Sequence, residues 1–500
     1  MAVAVLLFSV RAGSIWDYND LYWHVRMGQD IWEHHRLTGD PAWTFGPVGD
    51  PGWVTTQGLS ELVMYGLWKV AGWQGFLALK VVAAVVFMWL TWQVTNRMIP
   101  ARLRAAGAWR VAALIWIGMV VLNVGYLAER PQTLTVLMFF PLSVVATRLL
   151  LTGRWPHPLA VFAVTAVWAW FHGGALLVGP LLAAAWLCRL VMNDVVKKPV
   201  TGMVEGQSSW RWLAVMVAAV TGPTVNLIGT GMLTRASKIQ AASSGFISEW
   251  LPVEVTFPVF LFMLILLAAW VAAAIVLSRR GAPLRMLALE GMWLVLLLAA
   301  SLNAGRMLIL MTIMMIPVVA RRAGQVWPAG KPGGARSPFD GNKVVAVFLL
   351  VCCAVPAVAA VWRADGLPDD SPRLILSGLA AQDRTKSVFV SWNVAGQVQA
   401  FGGAGVVTEL DGRTDRYGAR NIEDYTLVTD VRPGWLPVWA GYPDVTDAVL
   451  GKDMALAGYL AREEGWRTVC IDGDWVWLAA PGVAGVCGSR QDPVATTGVS

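Results

Sequence analysis

PLAVFAVTAVWAWFHGGALLVGPLLAAAWLCRLVM (158–192) is two apolar runs meeting at His172-Gly173-Gly174. The junction is small and polar, so it reads as a tight turn between two membrane spans. Its flanks say which way the pair points. Arg148 and Arg154 stand before it, and Arg189, Lys197, Lys198 and Arg211 follow, whereas the turn itself holds no Lys or Arg. Because basic residues favour the cytoplasmic side, both flanks are expected inside and the turn outside.

The same alternation extends along the chain. Arg97, Arg102, Arg104 and Arg110 crowd one inner loop, Arg279, Arg280 and Arg285 another, and Arg321, Arg322, Lys331, Arg336 and Lys343 the last. The basic-poor loops between them are 16–74, 128–131, 172–173, 230–256, 303–305 and everything after about 363, and these face outward. They carry Asp17, Asp20, His24, Asp40, Glu61, Glu129, Arg130, His172, Glu249 and Arg306. A candidate reaction centre therefore lies at the outer face.

Hydrophobic residues make up 56% of the 500 and charged residues 14%, which excludes a soluble globular chain. Runs near 75–96, 111–127, 132–151, 212–229, 257–277 and 343–362 approach the length that crosses about 30 Å of hydrocarbon. Segments 284–302 and 305–320 meet at Asn303-Ala304-Gly305-Arg306 as another hairpin. With a short first span at 1–10, the expectation is a mainly α, polytopic bundle of about eleven spans over 1–362, N-terminus cytoplasmic. The net charge of +7 sits in inner loops, where topology and anionic lipid account for it without nucleic acid. Glu290 lies inside an apolar span with no partner that the sequence names.

Beyond Trp362 apolar runs shorten and turn residues multiply. SVFVSW (387–392), VVTEL (406–410), RTVCI (467–471) and WVWLAA (475–480) read as strands, while 393–401 and 446–462 carry helical patterning. A small extracytoplasmic α/β domain with a partly parallel sheet is expected over 363–488, followed by a disordered tail, 489–500. Cys470 and Cys487 bracket WVWLAA and can bridge in an oxidising compartment; Cys188, Cys352 and Cys353 sit in apolar spans, where thiols pack.

The first outer loop interleaves Trp, Tyr and charge: WDYNDLYWHVRMGQDIWEHHRLTGDPAWTFGPVGDPGWVTTQGLSELVMYGLWKVAGW (16–73). Residues 20–35 and 57–70 read as amphipathic helices lying in the membrane interface. Asp20 and His24 share one helical face, as do Glu61 and Tyr65. An Asp at a helix start also serves as a cap, and interfacial Trp as an anchor, so spacing alone does not make the carboxylates catalytic. Asp411-Gly412-Arg413 with Asp415 and Arg416 reads as a polar turn after a strand.

The run DLYWHVRMGQDIWEHHRLTGDPAWTF with GWVTTQGLSELVMY resembles the first external loop of a bacterial family of multi-span proteins grouped with the GT-C glycosyltransferases. LAERPQTL (127–134), WAWFHGGALL (168–177), TVNLIG (224–229), ISEWLP (247–252), VFVSWNVAGQV (388–398) and ELDGRTDRYG (409–418) resemble further elements of that family, so the likeness covers nearly the whole chain. It departs at Tyr18, which stands where the family has its first Asp and displaces Asp17 by one residue, and at Gly58, where Trp is usual; Asp20 keeps its place.

The resemblance implies an integral enzyme of the bacterial cytoplasmic membrane. It would move a sugar from a polyprenyl-phosphate donor to an envelope glycan, lipid or protein acceptor at the outer face. Such a transfer needs a carboxylate to take the acceptor's proton and a cation for the leaving phosphate. Asp20 is the first candidate base and Asp17 the second. His24, Asp40, Glu61, Arg130, His172, Glu249 and Arg306 are candidate substrate ligands; guanidinium suits phosphate, though Arg130 and Arg306 at span ends also suit snorkelling. His172 serves equally to hydrogen-bond a neighbouring helix. A divalent metal across Asp17, Asp20 and His24 stays open, since a lone Asp-x-x-Asp does not specify one. A transporter and a non-catalytic scaffold of envelope assembly remain alternatives, although no inverted repeat is visible and the polar residues gather at one face.

Overall fold

A computed structural model describes residues 18–37, 43–49, 53–123, 127, 129–196, 210–226, 228–243, 258–327, 367, 370–442 and 444–488. The chain divides into two compact units. The helical unit comprises Met1–Gly13, Ala78–Leu233 and Ser244–Val361; the second comprises Ser14–Leu77, Thr234–Ser243 and Trp362–Ser500.

Among the described residues six helices are long and apolar enough to cross a membrane: Gly58–Met98, Gln132–Thr152, Gly173–Met192, Pro258–Arg279, Leu284–Ser301 and Met307–Val326. Trp109–Leu122 and Pro158–Phe171 are shorter apolar helices, and 212–229 is represented by Trp210–Thr221. The expected spans at 1–10 and 343–362 lie outside the described residues, as does the tail from 489. Residues 57–70, expected as a separate interfacial helix, open the longer helix Gly58–Met98, which kinks at Gly72 where φ is +53°.

Met307–Val326 is the centre of the helical unit, packed against Gln132–Thr152, Pro258–Arg279 and Leu284–Ser301 and buried on nearly every face. This placement corrects the reading of Arg322 as a loop residue and of Glu290 as partnerless. Arg322 Nε donates to Glu290 Oε2 and Nη2 to Oε1, both at 2.7 Å, and Glu290 is fully buried. The Trp270 indole adds a third donor at 3.4 Å, and Arg322 Nη1 reaches Gln325 Oε1 at 3.0 Å. Arg189 is likewise buried inside a helix rather than exposed in a loop. Its Nη1 donates at 3.1 Å to the Leu150 carbonyl, in the last turn of Gln132–Thr152, where carbonyls have no intrahelical donor.

The quoted hairpin forms as read, Pro158–Phe171 turning through His172 into a short 3-10 stretch and Val178–Val196. His172 Nδ1 accepts from the Gly174 N–H at 3.0 Å and meets Thr135 Oγ1 at 2.9 Å, and the Trp168 indole donates to the same hydroxyl at 2.9 Å. Gly174 lets this happen, because a Cβ there would lie 2.5 Å from Thr135 Oγ1. Gly174→Ala should therefore cost about 1–3 kcal/mol by overpacking, read as a lower thermal midpoint in detergent. A midpoint equal to wild type would show that the helices separate without cost.

In the second unit a five-stranded sheet has the order β2-β1-β3-β5-β4, with β1 Lys386–Val390, β2 Val406–Thr408, β3 Asp447–Gly451, β4 Arg467–Asp472 and β5 Trp475–Ala479. β1 pairs in parallel with β2 and β3, and β5 runs antiparallel to β3 and β4, so the sheet is partly parallel as expected. Strand β3 was read as the start of a helix. Its sequence, DAVLG, lacks alternation because it is central and covered on both faces; only Ala455–Arg462 is helical. The polar stretch after β2 is also more ordered than a turn, continuing as helix Thr414–Thr429. Cys470 and Cys487 are bonded to each other.

The first-loop segment joins this sheet. Thr44 forms a parallel bridge to Thr408 at the β2 edge, with Phe45 N–H donating to Thr408 O at 2.9 Å and Thr408 N–H to Trp43 O at 3.0 Å. Helix Tyr18–His34 packs on Ala395–Phe401, where the Tyr22 and Phe401 rings meet edge to face at 4.9 Å. Loop and C-terminal domain, read apart in sequence, are thus one folded unit.

Candidate functional site

Asp20 lies in the first turn of Tyr18–His34, and the Trp23 indole, one turn on, donates to its Oδ1 at 3.1 Å. His24 turns to the next helix rather than to Asp20: its Nδ1 is 3.4 Å from Glu61 Oε1. Thr55 Oγ1 donates to the same oxygen at 2.8 Å, and Glu61 is completely buried. Gly28 seats the two helices together, since a Cβ there would overlap the Glu61 carbonyl.

The C-terminal domain supplies the other wall. Asp411 and Arg413 are buried and doubly joined, Arg413 Nε lying 2.8 Å from Oδ1 and 3.0 Å from Oδ2, with the Arg413 N–H on Oδ1 at 3.0 Å. The Arg413 guanidinium lies over the rings of Trp43 and Trp53, at 5.1 and 5.4 Å from their centroids. Burial pushes the Asp411 carboxyl up, but Arg413 and then Arg416 outweigh it and hold it below its usual range. Trp53 Nε1 donates to Asp415 Oδ2 at 2.9 Å; Arg235, in the segment Thr234–Ser243 of the same unit, pairs with that carboxylate and reaches Val54 O at 3.3 Å. Gly412, between Asp411 and Arg413, abuts Asp20 and Trp23.

Glu409, just before this turn, is buried with Oε2 accepting the Val390 N–H at 2.9 Å. Burial drives its pKa well above the glutamate range, with Asp411 adding to the rise. A folded-state pKa above the unfolded value gives stability that is complete below the unfolded pKa and lost as pH rises through the folded one. Wild type should accordingly lose stability on the alkaline side, and Glu409→Gln, which copies the neutral acid, should lose less there. Parallel pH–stability curves for the two proteins would refute a neutral Glu409.

The helical unit holds the remaining described candidates. Arg130 precedes helix Gln132–Thr152 and Arg306 is the N-cap residue of Met307–Val326, so each residue stands at a helix start. Glu129 pairs with Lys80 at 2.9 Å. His172 is bound to Thr135 and Gly174 as described. Asp17, Asp40 and Glu249 lie outside the described residues. Among the described residues no three His, Cys, Asp or Glu side chains gather to hold a metal; of the expected metal set, Asp17 is not among those described.

Crystal structures of ArnT from Cupriavidus metallidurans resemble this chain over nearly its full length. The apo state gives a TM-score of 0.50 at 13% identity, covering 96% of each chain. The same protein bound to undecaprenyl phosphate gives 0.49 at 14% identity over 98% of each. At this identity the likeness is one of fold: the chain is folded like ArnT. No family model and no curated protein matches the sequence.

Within this fold, the structure brings Asp20 together with Trp23 and Gly412, and His24 with Glu61 and Thr55. Sequence reasoning named Asp20, His24 and Glu61 but missed Trp23, Thr55, Gly412 and Arg235. Trp23 and Thr55 stand in the first-loop runs that carry the resemblance and Gly412 in ELDGRTDRYG, whereas Arg235 stands in no such element; nothing in the spacing ties residue 412 to residue 20.

Proposed function

We propose that the protein is a GT-C-type glycosyltransferase of the bacterial cytoplasmic membrane. It moves a sugar from a polyprenyl-phosphate donor to an envelope acceptor at the outer face. Asp20 takes the proton of the acceptor hydroxyl as that oxygen attacks the anomeric carbon, and the bond to phosphate breaks to release polyprenyl phosphate. Arg130 and Arg306 are the proposed phosphate ligands, each combining a guanidinium with a helix N-terminus.

The observation that carries this reading is the seating of Asp20 against Trp23 and Gly412, in a chain whose fold is like that of ArnT. The outward orientation of the second unit is supported by the alternation of basic loops and by the Cys470–Cys487 bond, which suits an oxidising compartment. The test is turnover by purified protein in nanodiscs offered a panel of polyprenyl-phosphate sugars. Transfer or hydrolysis of one donor is expected; if no polyprenyl-phosphate sugar binds, the enzyme assignment falls and transport or scaffolding takes its place.

A further inference from the structure

We propose that Gly412 is a positioning residue for Asp20, so that the Asp411-Gly412-Arg413 turn of the C-terminal domain sets the orientation of the carboxylate in the first loop. A Cβ built at Gly412 would overlap Asp20 Oδ1 and stand 2.5 Å from Trp23 Nε1 and 2.9 Å from Trp23 Cδ1. Those are the two groups joined by the Trp23–Asp20 hydrogen bond. The turn backbone thus lies directly against the bonded pair, with room for no side-chain atom. A side chain at 412 would have to displace the Asp20 carboxylate or the Trp23 indole.

The turn is itself immobilised from both sides of the residue. Asp411 is held by Arg413 and by Gln399 Nε2 at 3.3 Å, while Arg413 is enclosed by Trp43 and Trp53 from the first loop. Asp415 continues the chain into the Trp53 indole and Arg235. A rigid wall placed against a half-buried carboxylate limits its side-chain rotation, and a base held to one geometry is worth far more than a mobile one. Gly412 touches no reacting atom; it acts through Asp20. Its part in catalysis rests on Asp20 being the base of the reaction proposed above.

Gly412→Ala is the direct test, read in two ways. Sugar transfer in nanodiscs should show kcat lowered on the order of 100-fold with KM for the polyprenyl-phosphate sugar little changed. Independently of activity, the indole N–H resonance of Trp23, assigned with Trp23→Phe, should move in Gly412→Ala as it does in Asp20→Asn. An unchanged kcat, or a Trp23 resonance that stays in place, overturns the proposal. If wild type transfers no sugar from any donor, the enzyme reading fails, and the resonance alone still decides the contact. Should Gly412→Ala not fold, Trp23→Phe removes the indole N–H that bonds Asp20 and leaves residues 411–413 unsubstituted. It must then lower kcat with KM retained, and a wild-type kcat would refute the positioning role.

Discussion

Asp20→Asn should lower sugar transfer roughly 10²- to 10⁴-fold, the range that a positioned general base supplies, while donor binding and thermal stability stay near wild type. The substitution keeps shape and removes basicity. The Trp23 indole, which donates to Asp20 Oδ1 at 3.1 Å, finds an amide oxygen in its place, so the local geometry survives. Binding should be retained because the proposed phosphate ligands, Arg130 and Arg306, are untouched. Steady-state kinetics beside equilibrium binding of the same donor separate the two effects. Asp17→Asn is the necessary comparison: a loss confined to that variant moves the base to Asp17, and full activity in both removes the first-loop carboxylates from the chemistry.

The largest effect on stability is expected in the helical unit. Glu290→Ala or Arg322→Ala should each cost about 3–5 kcal/mol, because each leaves the other ion buried and uncompensated. The pair is well made, with two 2.7 Å bonds in a fork-to-carboxylate arrangement, and it joins Leu284–Ser301 to the central helix Met307–Val326. The double variant Glu290→Leu with Arg322→Leu should recover much of that loss, since an apolar pair of similar size needs no counter-charge. Thermal unfolding in a single detergent, followed for the three variants together, reads both the loss and its recovery. Single variants within about 0.5 kcal/mol of wild type would mean that water or lipid headgroups reach the site.

The sequence by itself determined the spanning helices, since an apolar run of that length can satisfy its backbone within a membrane only by coiling. It also determined the hairpin at His172-Gly173-Gly174 and four of the five strands, each a local pattern of a few residues. Tertiary structure decided the rest, and for one physical reason: burial is a property of neighbours, not of residue type. DAVLG becomes a strand because β1 and β5 flank it. Arg189 and Arg322 sit inside the bundle because Leu150 O and Glu290 await them, although by composition both belong to inner loops. The Asp411-Gly412-Arg413 turn, polar in every residue but its glycine, is buried because Arg413 spends its charge on Asp411 and its face on Trp43 and Trp53. Asp20 could be picked out from its own loop, but the glycine that abuts it lies 392 positions away by residue number, from 20 to 412, and only folding brings the two into contact.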